Sequence, residues 1–103
     1  MNDPSLTMGC DRMRGLIFRD LADYLRHGRE IEFTYNSRQY SITNHSGYWY
    51  LCDDTDHILL ETVCRFDERD TLVAKIAAVV IGGMTIQQIF DGKLYDAERL
   101  YIL

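Results

Sequence analysis

The chain has 103 residues and a formal net charge of −5, with 47% hydrophobic and 12% aromatic residues. This length and composition predict one folded domain with a single core, and they exclude a disordered chain. The longest apolar run, residues 76–84, is too short to cross a bilayer, and the N-terminus carries no signal-peptide pattern. We therefore expect a cytoplasmic protein with a flexible tail over residues 1–10 and a single domain over residues 11–103.

Two elements are predicted at the start of this domain. Apolar residues at three-and-four spacing predict a helix over residues 12–27, which Gly28 ends because glycine enters the left-handed conformation at little cost. Residues 31–42 predict an antiparallel hairpin with a two-residue turn at 36–37. This register pairs Ile31 with Ile42, Phe33 with Tyr40 and Tyr35 with Arg38. The apolar residues of the two strands then lie on the same side of the hairpin.

Residues 48–52 predict a third strand whose register stays open. A three-residue loop at 45–47 would turn Tyr48, Tyr50 and Cys52 toward the apolar face of the sheet. A two-residue turn at 46–47 would instead turn Trp49 and Leu51 there. In either register an aromatic side chain faces away from the main core and needs a cover from a later helix, the N-terminal tail or another protein. The candidate contact residues are Tyr48, Trp49 and Tyr50.

The remaining segments complete an α+β order. Residues 58–63 fit a fourth strand or an irregular run, and strand is favoured. Residues 68–80 predict a second helix with Asp67 as its N-cap, and a short helix runs from Thr85 until Gly92 stops it. The apolar C-terminal residues are expected on the sheet or at a subunit contact. The expected fold is an N-terminal helix, a three- to four-stranded antiparallel sheet, then two or more helices.

No motif for catalysis, phosphate binding or metal binding is present in the sequence. Its three cysteines, Cys10, Cys52 and Cys64, form no C-x-x-C pair, so free buried thiols are expected. The acidic loop at residues 53–56 lacks the glycine and the final glutamate of an EF-hand. We therefore expect no enzyme activity, no catalytic residue, no cofactor and no metal.

Charge is concentrated in one segment of the chain. Residues 53–70 contain two arginines and seven acids, which give a local net charge of −5, equal to that of the whole chain. Such a segment repels nucleic acid and attracts a partner with a basic groove, although the same acids also fit ordinary helix capping and solubility. The candidate partner-binding residues are Asp53, Asp54, Asp56, Glu61, Asp67, Glu68 and Asp70.

Three segments together carry a resemblance. They are "GREIEFTYNSRQYSITNHSGYWYL", the helix opening "FDERDTLVAKI" and the closing "GGMTIQQIFDG". They resemble small proteins carried by phages and mobile elements of Gram-positive bacteria. The element order is similar to that of acidic type II anti-CRISPR proteins, which occupy the basic groove of Cas9 that reads the PAM duplex. The resemblance implies that the seven acids imitate phosphates toward the arginines that grip DNA in a bacterial host cell.

The leading hypothesis is a non-enzymatic inhibitor that binds a basic nucleic-acid-handling protein, such as a Cas nuclease, through an acidic surface. We expect no direct nucleic-acid contact and no membrane contact. An immunity protein that neutralises a bacterial toxin by the same physics is one alternative. A structural homodimer, joined through the Tyr48 and Trp49 face and the C-terminal "LYIL", is another.

Overall fold

The computed structural model describes residues 15–103. The predicted flexible tail over residues 1–10, the domain boundary at residue 11, Cys10 and the start of the first predicted helix lie outside the described residues. The elements, in chain order, are α1 (Phe18–Arg26), β1 (Ile31–Tyr35), β2 (Arg38–His45), β3 (Tyr48–Asp53), β4 (Ile58–Arg65), α2 (Arg69–Ala78), β5 (Val80–Ile81), β6 (Met84–Thr85), α3 (Ile86–Asp91), a 3-10 turn (Ala97–Arg99) and β7 (Tyr101–Ile102).

The predicted α+β class is confirmed, but the sheet is larger than expected. It has five antiparallel strands in the order β4-β3-β2-β1-β7. The fifth strand comes from the apolar C-terminal segment, where Ile102 pairs with Ile31. A separate two-stranded hairpin, β5–β6, interrupts the helical part of the chain. The predicted layout was wrong in these two respects, because it placed every strand before the later helices and stopped at four strands.

Two tight turns set the registers of the first three strands. Asn36 and Ser37 have φ values of 51° and 63°, and Ser46 and Gly47 have φ values of 52° and 86°. Positive φ at both central residues identifies the two-residue turns that match the twist of a hairpin. The predicted register of β1 and β2 is confirmed. The open choice at β3 is also decided, because the turn at Ser46 directs Trp49 and Leu51 into the core.

The helices α1, α2 and α3 lie on one face of the sheet. Their buried side chains join the alternate residues of β1, β2 and β3 in one continuous core. An aromatic cluster lies at its centre. The centroid of the Phe90 ring is 5.2 Å from that of Phe33 and 4.7 Å from that of Tyr95. The Tyr95 hydroxyl also donates a hydrogen bond of 2.7 Å to the Leu16 carbonyl. The opposite face of the sheet therefore carries no helix of the described chain.

Helix boundaries follow the local hydrogen bonds. The helix α1 begins at Phe18, where the Asp91 carboxylate accepts from the Phe18 amide at 3.0 Å, and Leu16 and Ile17 interrupt the helix that the sequence predicts over residues 12–27. Glu68, not the predicted Asp67, stands at the N-cap of α2. Thr85 caps α3 by accepting from the Gln88 amide, as the sequence predicts. None of the helices within residues 15–103 combines the length and apolar character that crossing a bilayer requires.

The burial of Trp49 generates the first prediction. Its indole is fully buried, its ring stacks on Phe66 at 5.7 Å, and its Nε1 donates to the Phe66 carbonyl at 3.1 Å. Because Trp49 is the single tryptophan, its fluorescence reports on this stack alone. We expect a blue-shifted emission that Phe66→Ala shifts toward longer wavelength, with about 2 kcal/mol lost from the free energy of unfolding in urea.

Leu94→Ala is the matched control, because Leu94 is about as exposed as Phe66 but does not contact Trp49 through a ring stack. This variant should lose less than about 1 kcal/mol and keep the wild-type emission. A wild-type emission typical of a water-exposed indole would contradict the placement of Trp49.

Candidate functional site

The face of the sheet opposite the helices carries no helix of residues 15–103. Strand alternation fills it with polar and small side chains, since the apolar partners of the same strands point into the core. We call it the open face; its members on the first three strands are Glu32, Thr34, Gln39, Ser41, Thr43, Tyr50 and Cys52. Several of these side chains are exposed or half-buried.

A concavity of about 390 Å³ on the open face contains three carboxylates. We call it the acidic cleft; it is lined by Glu30, Ile31, Glu32, Gln39, Ser41, Ile42, Thr43, Asp54, His57 and Leu103. Glu32 reaches it because it pairs with Ser41 across β1 and β2. No lysine or arginine occurs among these lining residues, so no cation of the described chain neutralises the cleft from its walls.

Two of the three cleft carboxylates are held by neutral donors. Glu30 Oε2 accepts from the Thr43 hydroxyl at 2.8 Å and from the Asn44 amide at 2.9 Å. Asp54 Oδ1 accepts from the Ser41 hydroxyl at 3.1 Å. Neutral donors orient a carboxylate and leave its formal charge in place. The cleft therefore presents oriented negative charge that a guanidinium or an ammonium group can neutralise.

Asp53 has a structural role at the end of β3. Only 5% of Asp53 is exposed, and its Oδ2 accepts from Arg38 Nη2 at 2.7 Å and Nε at 3.2 Å. Its Oδ1 accepts the amides of Thr55 at 2.9 Å and Asp56 at 3.2 Å, which closes the turn between β3 and β4. Asp56 also binds Arg38. Two of the seven predicted contact residues are thus engaged by one arginine.

This arrangement perturbs the ionisation of Asp53. The hydrogen bond from Arg38 holds the pKa of the Asp53 carboxyl below its ordinary value of 3.8, against the opposing effect of burial. The amides of Asp56 and Thr55 act in the same direction as Arg38. The same ion pairs raise the pKa of Arg38. Both groups are therefore charged at neutral pH, and they hold the turn that carries Asp54 and His57 to the cleft.

The other predicted acids lie away from this turn. Asp67, Glu68 and Asp70 are at the opposite end of β4, and eight strand residues at about 3.3 Å each separate the two groups by about 25 Å. There Glu68 accepts the Arg65 amide at 2.9 Å, and Asp70 pairs with Arg26 at 3.3 Å. Glu61 lies alone in the middle of the strand. The structure thus divides the acidic segment among three places, and of its seven acids only Asp54 lines the cleft.

The three candidate aromatic residues also separate. Tyr48 is 39% exposed and Tyr50 is half-buried on the open face, whereas Trp49 is fully buried. Trp49 therefore offers no surface to a partner, which corrects its proposed role in partner or dimer contact. The reason is the Ser46–Gly47 turn, which sets the register of β3 and so points the Trp49 side chain toward the core. Phe66 covers the indole, and the Arg69 guanidinium lies 4.3 Å from the centre of the Phe66 ring.

Within the described residues Cys52 and Cys64 are free and only half-buried, so the expectation of fully buried thiols was wrong for these two. Burial raises the pKa of both thiols, and the negative charges of Asp54 near Cys52 and Glu68 near Cys64 act in the same direction. Both thiols are therefore protonated at neutral pH. Residues 15–103 contain no group of three or more His, Cys, Asp or Glu side chains placed to hold a metal ion.

Sequence reasoning missed Glu30 and Glu32. Both lie outside the segment 53–70, and counting charge along the chain did not bring them near Asp54. The predicted pairing of Glu32 with Ser41 was the available signal, since it places Glu32 on the face opposite the apolar residues. The further pairing of Ser41 with Cys52, next to Asp53, completes the cleft and needs the register of β3.

The comparisons with known proteins identify no relative: no family, no curated protein and no solved structure matches this chain.

The Asp53 geometry generates the second prediction. A carboxylate whose pKa is lowered by folding stabilises the protein above its unfolded pKa, and this contribution is lost as the pH falls through the folded pKa. Asp53→Asn should therefore lower the free energy of unfolding at pH 7. The difference from wild type should stay constant above about pH 5 and shrink below pH 3.8. Urea titrations at a series of pH values, followed by Trp49 fluorescence, measure it.

Asp67→Asn is the control, because Asp67 is exposed and takes no part in the Arg38 ion pairs. This variant should have the same free energy of unfolding as the wild type at each pH from acid to neutral. Equal stability of the wild type and Asp53→Asn at pH 7 would contradict a structural role for Asp53.

Proposed function

We propose that this chain is a non-enzymatic inhibitor that binds a basic nucleic-acid-handling protein on its open face and blocks its access to DNA. The acidic cleft carries this proposal, because three carboxylates converge there without a lysine or arginine in its lining. A partner that grips nucleic acid supplies arginine and lysine side chains, which the cleft would take in place of phosphates. The inhibitor would then occupy the groove that DNA needs.

Physical chemistry favours fast capture of such a partner. Surface carboxylates of one sign raise the rate of encounter with a positive groove, and this effect weakens as salt screens the charges. The described residues support recognition more than catalysis. Glu30 and Asp54 are bonded to hydroxyl and amide donors, and residues 15–103 hold no group of three or more side chains placed to bind a metal ion. Strong salt dependence is therefore the expected signature of binding.

The resemblance to acidic anti-CRISPR proteins makes a Cas9 nuclease the first partner to test. The groove that reads the PAM duplex presents arginines that bind guanine in a bidentate manner. Glu32 and Asp54 are suited to the same guanidinium geometry, since a carboxylate accepts two parallel hydrogen bonds. A bacterial toxin with a basic active site offers the same chemistry, so an immunity protein is the alternative within this proposal. Only the identity of the partner separates these two roles.

The cleft generates the third prediction. We expect the double variant Glu32→Gln and Asp54→Asn to bind Cas9 at least tenfold more weakly than wild type in about 0.1 M salt, a loss of about 1.4 kcal/mol. The wild-type dissociation constant should rise steeply between about 0.05 and 0.3 M salt, and the double variant should show a smaller slope. Calorimetry or biolayer interferometry, with and without guide RNA, measures both quantities, and a DNA-cleavage assay reports inhibition.

Two further variants locate the contact. Asp23→Asn removes one exposed charge from α1, on the helical side of the sheet, and should leave binding unchanged. The double variant Glu61→Gln and Asp67→Asn removes acids of the segment 53–70 that lie outside the cleft. If this variant alone loses binding, the contact lies along β4 and not in the cleft. Binding to none of the tested basic partners, or binding indifferent to salt, would contradict the proposal.

A further inference from the structure

The strand β4 forms one edge of the sheet, and only half of this edge is closed. Toward its C-terminus, Lys75 Nζ donates to the Val63 carbonyl at 3.0 Å and Glu68 Oε1 accepts the Arg65 amide at 2.9 Å. These side chains occupy backbone groups that a further strand would need. No side chain within residues 15–103 makes such a bond to Ile58, Leu59 or Leu60. We call these three residues the open edge.

The open edge is also the most apolar exposed stretch of the described chain. Ile58, Leu59 and Leu60 are 48%, 55% and 42% exposed. Leu59 pairs with Cys52 and so lies on the open face, whereas Ile58 pairs with the inward Asp53. Leu60 lies at a shift in the register, where a strand carries an extra unpaired residue. Unpaired backbone and three adjacent aliphatic side chains are the two features that attract an additional strand.

Charge selects among the possible occupants of the open edge. Residues 53–64 contain four carboxylates and no lysine or arginine. Arg38 binds Asp53 and Asp56, so Asp54 and Glu61 remain outside the ion pairs that the described residues form. A second copy of the chain would bring two such segments against each other, and like charges would oppose the pairing. A basic segment of another protein has the complementary charge.

Contact area also disfavours a second copy. Three half-exposed aliphatic residues on each side fall far below the roughly 1,200 Å² of total buried surface that stable interfaces need. A partner already bound in the acidic cleft needs less buried area at the edge. The second contact then forms within an existing complex, at a high effective concentration. The two surfaces adjoin, since Asp54 and His57 line the cleft and His57 directly precedes Ile58.

From these observations we propose that the open edge receives an extended segment of the basic partner by β-strand addition. The segment alternates aliphatic side chains, which contact Leu59 and its neighbours, with polar residues, and lysine or arginine at its ends meets Asp54 and Glu61. This inference rests on the proposed function, because it names a second contact for the same partner. Backbone hydrogen bonds provide the attachment and the flanking cations provide the selection.

The first experiment uses a defined probe. A nine-residue peptide that alternates valine and threonine between terminal lysines is titrated into the isotope-labelled full chain, and NMR follows the amides of residues 58–61. We expect those amides of residues 58–61 that point away from β3 to exchange rapidly with solvent in the free protein and at least tenfold more slowly with the peptide bound, whereas the amides bonded to β3 are protected in both states. The same peptide with glutamate in place of lysine should bind at least tenfold more weakly.

Two N-methylated forms of the peptide test the backbone bonds. Methyl groups on one alternate set of its amides remove the donors that face β4, and methyl groups on the other set leave these donors intact. One form should therefore lose at least tenfold in affinity, and the other should keep the affinity of the parent peptide. Equal affinities of both forms and the parent would overturn strand addition.

Protein variants separate this inference from the proposed function. Leu59→Lys places a cation on the open edge and should lower peptide affinity at least tenfold. Leu94→Lys is the matched control, because Leu94 is 47% exposed and lies beyond α3. Unchanged Trp49 fluorescence establishes that both variants fold. If Leu59→Lys leaves the binding of the basic partner intact while the Glu32 and Asp54 variant abolishes it, the edge inference fails and the proposed function stands.

The other outcomes also decide the inference. Slow exchange, in the free full chain, of the amides of residues 58–61 that point away from β3 would show that the chain itself or a second copy already covers the edge. Concentration-dependent dimerisation that Leu59→Lys abolishes would identify the second copy as the occupant. Failure of the lysine-flanked peptide to slow exchange at these amides would also overturn the proposal.

Discussion

The paired charges of Arg38 and Asp53 hold the part of the molecule on which both proposed contacts depend. Asp53 is almost completely buried, and a buried carboxylate is costly unless a cation and several donors satisfy it. Arg38 supplies the cation from the start of β2, and two turn amides supply further donors. The turn between β3 and β4 therefore has one favoured geometry. That geometry orients Asp54 toward the cleft and begins β4 at Ile58.

This arrangement separates structural acids from binding acids. Asp53 and Asp56 stabilise the turn because Arg38 binds both, whereas Asp54, Glu30 and Glu32 form no ion pair within residues 15–103, and Asp54 and Glu30 bond neutral donors. Net charge alone does not make this distinction, since all five are carboxylates of similar intrinsic acidity. Binding strength should therefore depend on a few positions on the open face more than on the total charge of −5.

Local patterns predicted much of the fold. The β1–β2 register, the short helix after Thr85 and the stop at Gly92 depend on neighbouring residues and were correct. The addition of β7 to β1 was missed as a strand, because two residues carry too little pattern to identify one. The break at Leu16 and Ile17 before α1 was missed, because Asp91, which accepts the Phe18 amide there, is distant in sequence.

The candidate site was harder to predict for the same reason. Its carboxylates come from β1 and from the turn after β3, and only a known strand order brings them together. The sequence identified Asp54 through local charge density, but the same density also included Asp53, whose role is structural. Glu32 was visible as an outward residue of a hairpin, yet nothing in its own strand indicated an acidic neighbour. A site built from several strands can be predicted only when the strand register is known, because the register decides which charged residues lie together.

The pairing of β7 with β1 has a consequence for biosynthesis. Ile31 finds its partner at Ile102, and the Leu103 amide donates to the Glu30 carbonyl at 2.8 Å, so this sheet edge stays incomplete until almost the whole domain has been translated. Until then a nascent chain on the ribosome would have an unpaired edge strand on both sides of the sheet, β1 on one side and β4 on the other. This edge of the sheet is therefore expected to close only after residues 101–103 have left the exit tunnel.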